Sequence, residues 1–118
     1  MQTPKYPDLN GRLELDEAAM RTYGYQVVDA IVQHFVTQRE QLPVATGNRA
    51  EMDSLFQETA PDAPTPPEEV LHFVLDHVMT RSNIVSHPRS YAFVPRPSNY
   101  ISAMSDALTA GFNIFSGG

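Results

Sequence analysis

The stretch "DEAAMRTYGYQVVDAIVQHF", Asp16 to Phe35, decides the fold class of this chain. Its apolar residues recur three or four positions apart, which places them on one face of an α-helix; they are Met20, Tyr23, Val27, Val28, Ile31, Val32 and Phe35. Asp16 can cap the first turn, and Pro43 marks the end after Leu42. The pattern predicts a first helix of about seven turns.

The chain on either side of this helix is predicted to be extended or irregular. Residues 1–15 carry prolines and Gly11 without periodicity, which predicts an extended arm. After Pro43, one short helical candidate is indicated by Asn48 and Glu51, which have the spacing of a capping box. The sequence "PDAPTPP", residues 61–67, then forms a stiff spacer because each proline fixes its own backbone.

Two further helices are predicted after the proline-rich connection. The second has Thr65 as a candidate cap, Pro66 at its first position and Glu68 in place to close a capping box. Apolar residues surround much of its circumference, so it requires more than one neighbour; they are Val70, Leu71, Phe73, Val74, Leu75, Val78 and Met79. A loop with a short extended piece, Ser90–Val94, leads to a third helix capped by Ser98. Its apolar positions are Ile101, Met104, Leu108, Phe112 and Phe115.

These patterns predict an all-α fold with three main helices, an extended N-terminal arm and a proline-rich connection. Residues 16–118 form one helical unit. Its apolar faces are more extensive than one small three-helix unit covers, so we expect the chain to dock against another protein surface.

Composition excludes several classes of function. The net charge of −6 divides into −8 over residues 1–77, with five basic and thirteen acidic side chains, and +2 over residues 78–118. An acidic chain without a basic stripe is unsuited to nucleic acid. There is no cysteine and no apolar run that approaches a membrane span of about 20 residues. A soluble cytoplasmic protein is expected.

The four histidines are candidates for metal ligands and for binding groups. His34, His72 and His77 are interpreted as structural or surface residues, with His34 on the exposed side of the first helix, and no metal site is predicted. His87 differs because it lies beside Arg89 in a proline-rich loop, where a phosphate or carboxylate can bind guanidinium donors. The alternative, that these residues cap helix ends or pair with Asp106, stays open.

The stretch "HPRSYAFVPRPSNYISAMSDALTAGFNIFSGG", residues 87–118, resembles the N-terminal part of the group II pyridoxal-phosphate-dependent amino-acid decarboxylases. That family includes the aromatic-L-amino-acid, tyrosine, histidine and glutamate enzymes. The resemblance is looser over residues 16–79. The positions that stand in the family's motif are His87, Pro88, Tyr91, Ala92, Phe93, Pro95, Ser98, Asn99, Asp106 and Leu108.

The resemblance implies a function that this chain cannot perform alone. The full-length protein would be a carboxy-lyase, a homodimer that uses pyridoxal phosphate to decarboxylate an L-amino acid. Its Schiff-base lysine and its fold-type-I cofactor domain would lie downstream, so the chain alone should be inactive and should not bind the cofactor. Its helices would dock onto that domain and onto the partner subunit.

The resemblance also implies site residues. Four would line the substrate pocket: Phe93, Val94, Pro95 and Arg96. Phe115 and Ser116 would reach toward the active site of the partner subunit. Arg96 departs from several aromatic-substrate members, which have a small hydroxyl residue there; it would bind a substrate carboxylate, or point to solvent or to an acid of the larger domain. A free-standing helical interaction module and a split enzyme are the alternative interpretations.

Overall fold

The computed structural model describes residues 15–91 and 97–113. Over these ranges the chain forms four α-helices: α1 (Glu17–Thr37), α2 (Arg49–Phe56), α3 (Pro67–Phe73) and α4 (Tyr100–Phe112). The α3 helix continues through a π-helical turn, Val74–Val78, into a 3-10 turn, Met79–Arg81. No β-strand occurs in these two ranges, so the all-α prediction is confirmed. The predicted arm lies almost wholly outside the described residues and stays a prediction.

The first helix begins as predicted and ends earlier than predicted. The Asp16 side chain accepts a hydrogen bond from the Ala19 amide at 2.8 Å, which caps the first turn. The helix ends at Thr37, before Leu42, and the amide of Glu40 then bonds to the Thr37 carbonyl at 3.0 Å. Leu42 precedes Pro43 and is therefore disfavoured in helical geometry, which keeps α1 from continuing as far as the proline.

The α2 helix confirms the predicted short helix. The one difference at its start is that the Glu51 side chain binds Arg81. The Asn48 side chain accepts from the Glu51 amide at 2.9 Å, as a capping residue should. The Glu51 carboxylate accepts from Arg81 at 2.7 Å, so this ion pair joins α2 to the end of the α3 segment. Phe56 of α2 packs edge-on against Phe73 of α3, with ring centroids 5.8 Å apart.

The predicted caps of the other two helices were wrong by one residue. Pro66 precedes α3 and no side chain caps it, because the helix begins one residue later than predicted, at Pro67. The α4 helix is capped by Asn99, since Asn99 and Ser102 bond to each other's backbone amides at 2.9 and 3.1 Å. Ser98 lies one position before that capping box. The α4 helix ends at Phe112, and Asn113, which follows it, has a left-handed φ of 44°.

Very little of the described chain is buried. Ile84, at 7% exposure, is the one buried apolar residue in residues 15–91 and 97–113, and the residues of α1, α3 and α4 are half-buried or exposed. Within the described residues, the helices therefore form without enclosing a core of their own.

Candidate functional site

The turn segment, residues 84–91, is held against the end of α1. The Ile84 amide donates to the Pro43 carbonyl at 2.9 Å, and the Ser86 hydroxyl donates to the Gln38 side chain at 2.6 Å. Both anchors lie in the turns that follow Thr37. The early end of α1 thus creates the surface on which the turn segment rests.

His87 lies at the centre of the turn segment and is 3% exposed. Its Nδ1 accepts a hydrogen bond from the Arg89 amide at 3.0 Å, and its carbonyl accepts one from the Ser90 amide at 2.9 Å. The Arg89 side chain is exposed, so only its backbone meets the imidazole. The anion site predicted at these two residues stays a prediction.

The other predicted site residues lie outside the described ranges. These are the pocket residues Phe93, Val94, Pro95 and Arg96 and the partner-site residues Phe115 and Ser116. The residues on either side are described: Tyr91 is 92% exposed, and Asn99 caps α4. Of the predicted extended piece Ser90–Val94, only Ser90 and Tyr91 are described, and neither is in a strand.

A groove of about 510 Å³ lies between α1 and the end of the α3 segment. Its walls include Gln33 and His34 of α1, Leu75 and Met79 of the α3 segment, and Ile84 of the turn segment. The prediction that His34 is on the exposed side of α1 was wrong, since it is half-buried and its ring lies 5.6 Å from that of Phe35. No sequence signal indicated this groove, because its lining residues come from segments far apart in the sequence.

The α4 helix presents an apolar stripe to solvent. Ile101, Leu108 and Phe112 fall within about 40° of one another around the helix axis, at 100° per residue. Their exposures are 77%, 63% and 74%. The α4 helix also contacts α1, and its half-buried residues are Ala103, on the side opposite the stripe, and Met104, at the edge of the stripe. This stripe is an apolar face without a partner in the described part of the chain.

Two further findings concern metal binding and membranes. Within residues 15–91 and 97–113, no three acidic or histidine side chains come together as a metal site. None of the helices in the same ranges is long and apolar enough to cross a membrane.

The comparisons with known proteins identify the relatives of the chain. It is 34% identical over 107 residues to the aromatic-L-amino-acid decarboxylase of Bacillus atrophaeus, and the alignment covers 91% of the chain. The predicted resemblance to the group II decarboxylases is confirmed. No protein-family model matches the chain, and no solved structure matches it.

The similarity extends well beyond the motif at residues 87–118, because 107 aligned residues must include most of the helices before it. The chain nevertheless spans only 22% of the length of this decarboxylase. The motif that resembles the decarboxylases begins at His87, which is buried. It continues into α4, where Asp106 and Leu108 are exposed.

Proposed function

We propose that the chain is the N-terminal helical segment of a pyridoxal-phosphate-dependent L-amino-acid decarboxylase. In that enzyme it contributes to the dimer interface and forms one wall of the substrate pocket. The observation that carries the proposal is the alignment with a decarboxylase over 91% of the chain.

The exposed apolar surface supports the dimer and docking roles. The α4 stripe has no cover among the described residues, and the faces of α1 and α3 are only partly covered there. Apolar area of this kind is stabilised when another protein surface removes it from water. The remaining polypeptide of the decarboxylase and a second subunit would both supply that cover.

The anchored residues on either side of segment 92–96 support the pocket role. The turn segment is bonded to the end of α1, and Asn99 and Ser102 fix the start of α4. A binding residue is most effective when rigid elements hold the chain on both sides of it. In the proposed enzyme Phe93, Val94 and Pro95 bind the substrate side chain and exclude water, while Arg96 offers donors to a carboxylate.

The cofactor would be held elsewhere in the enzyme. Residues 15–91 and 97–113 contain no lysine, since the single lysine of the chain is Lys5. This part of the chain therefore does not fit pyridoxal phosphate by itself. We propose that the remaining polypeptide binds it, with the present residues acting on the substrate alone.

The test is to express the complete protein that carries this chain and to measure carbon dioxide release from each L-amino acid with added pyridoxal phosphate. We expect release from at least one amino acid, and none from the 118-residue chain. A complete protein that binds the cofactor and decarboxylates no amino acid would overturn the proposal.

The alternative is a free-standing helical interaction module. The exposed α4 stripe favours it as well, because such a module also docks through an apolar helix face. Sequencing the gene past the codon for Gly118 separates the two proposals. An immediate stop codon supports the module, whereas a downstream cofactor domain supports the decarboxylase.

A further inference from the structure

The groove between α1 and the end of the α3 segment has apolar walls that are open to solvent. Leu42 and Met79 line it, and their exposures are 72% and 54%. The hydroxyls of Thr80 and Ser82, which also line it, already donate to backbone carbonyls of their own segment at 2.6 and 2.9 Å. No carboxylate, lysine or arginine is among the described residues that line the groove. These walls therefore suit an apolar segment of polypeptide.

The segment that precedes α1 has the composition that such a groove accepts. Residues 1–15 carry two basic and two acidic side chains, so their net charge is zero, whereas the whole chain carries −6. Pro4 and Pro7 favour the polyproline II conformation, which has three residues per turn and no internal hydrogen bonds. In that conformation Tyr6 and Leu9, three positions apart, project from the same side.

The length of this segment also matches the distance to the groove. In the polyproline II conformation, at about 3.1 Å per residue, Leu9 and Tyr6 lie about 22 and 31 Å before Asp16. At about 1.5 Å per residue, Ala30 and Thr37 of α1 lie about 21 and 32 Å after Asp16. Ala30 and Thr37 both line the groove. A segment that folds back along α1 would thus bring its two apolar side chains to the groove.

We propose that residues 4–10 of this chain form a strap that runs back along α1 and covers the groove, with Tyr6 and Leu9 packed against its apolar walls. The strap removes apolar surface from water and connects the start of α1 to its end. Ile84 of the turn segment also lines the groove, so the strap steadies the chain that leads to residues 92–96. The strap needs neither cofactor nor substrate and is independent of the proposed function.

The chain has no cysteine, so a pair of introduced cysteines reports the position of the strap without interference. The test pair is Asp8→Cys with Gln33→Cys, because Gln33 lines the groove and both positions lie about 25 Å from Asp16 along their segments. The control pair is Asp8→Cys with Thr22→Cys. Thr22 is exposed like Gln33 and lies about 20° from it around the helix axis, about 16 Å nearer the start of α1.

The two pairs are oxidised with oxidised glutathione in the 118-residue chain, and crosslinked species are separated on a non-reducing gel. The disulfide within one chain should form about tenfold faster in the test pair than in the control pair, as expected when apolar side chains hold the strap in place. An arm that moved freely would favour Thr22→Cys, because the shorter loop closes more readily. Adding Tyr6→Ser and Leu9→Ser should remove the preference for Gln33→Cys.

Hydrogen exchange tests the strap without introduced cysteines. The Ile84 amide donates to the Pro43 carbonyl at 2.9 Å, and its exchange should be about tenfold faster in a Tyr6→Ser, Leu9→Ser chain. A chain with Lys5→Ser and Asp8→Ser is the matched control and should exchange as the wild type does.

Three results would overturn the proposal. The first is a disulfide that forms equally fast, or faster, in the control pair. The second is a test pair that crosslinks only between two chains, because the groove would then be covered by the arm of a second copy. The third is an Ile84 amide whose exchange rate is the same in the wild type and in the Tyr6→Ser, Leu9→Ser chain.

Discussion

Asn99 holds the start of α4 by reciprocal hydrogen bonds with Ser102 at 2.9 and 3.1 Å. Replacing a capping side chain with alanine costs about 1 kcal/mol. We therefore expect Asn99→Ala to lower the hydrogen-exchange protection of the α4 amides about fivefold. Ser98→Ala is the matched control and should have no such effect. Equal losses of hydrogen-exchange protection in Asn99→Ala and Ser98→Ala would show that the Asn99–Ser102 capping box does not stabilise the start of α4.

The Arg81–Glu51 ion pair, at 2.7 Å, connects segments 30 positions apart in sequence. Its side chains are 29% and 41% exposed, so solvent screens the pair and its coupling should stay at or below about 1 kcal/mol. A double-mutant cycle with Arg81→Met and Glu51→Gln, measured by urea unfolding, should give about 0.5 to 1 kcal/mol.

The matched control for that cycle is the Arg49–Asp53 pair of α2. Its atoms are 3.5 Å apart and Arg49 is 90% exposed, so its coupling should be close to zero. Equal coupling energies in the two pairs would mean that the Arg81–Glu51 contact does not hold α2 to the α3 segment.

At the scale of the element, the apolar stripe of α4 should drive self-association. Ile101, Leu108 and Phe112 are all more than half exposed. A glutamate within a buried apolar interface loses its hydration without a partner. Leu108→Glu should therefore weaken association of the 118-residue chain about 30-fold or more, measured by sedimentation velocity over a range of concentrations.

Thr109→Glu adds the same charge one position later, about 100° around the helix from Leu108, and should leave association unchanged. A wild-type chain that stays monomeric at every concentration would contradict the prediction. So would equal weakening by both substitutions, because the effect would then come from net charge.

The elements also show what sequence patterns can and cannot reveal. Apolar spacing predicted α1, α3 and α4, since a helix buries one face whether its partner is in the same chain or another. The sequence pattern did not identify the capping residue where two residues of capping type are adjacent. At the start of α4 it indicated Ser98, whereas the cap is Asn99. The π-helical turn Val74–Val78 has no sequence signature, and the groove beside it could not be foreseen.

For the whole molecule, the sparse burial among the described residues explains why the sequence was more informative about docking than about a site. The predicted excess of apolar surface agrees with a chain that buries only Ile84 among its described apolar residues. The burial of His87 could not be predicted, because it depends on where α1 ends and the turn segment rests. Residues Phe93–Arg96 were predicted as pocket residues by resemblance alone, and this stays a prediction because they lie outside the described ranges.

The departure at Arg96 gives the last prediction, which concerns the complete enzyme. The resemblance places a small hydroxyl residue there in several aromatic-substrate decarboxylases, whereas this chain has a guanidinium group. If Arg96 binds a second substrate carboxylate, Arg96→Ser should lower kcat/KM for acidic amino acids about 10-fold to 100-fold. The kcat/KM of Arg96→Ser for aromatic amino acids should be unchanged or higher.

Arg96→Ser should change the substrate preference through the pocket and not through the stability of the enzyme. Its unfolding temperature should therefore match that of the wild type. Arg49→Ser, on the exposed face of α2, is the control for loss of one positive charge. The measurement is kcat/KM for an acidic and an aromatic substrate in all three proteins. An unchanged ratio between the two substrates in Arg96→Ser would remove this arginine from the pocket, and an equal change in Arg49→Ser would assign the effect to long-range charge.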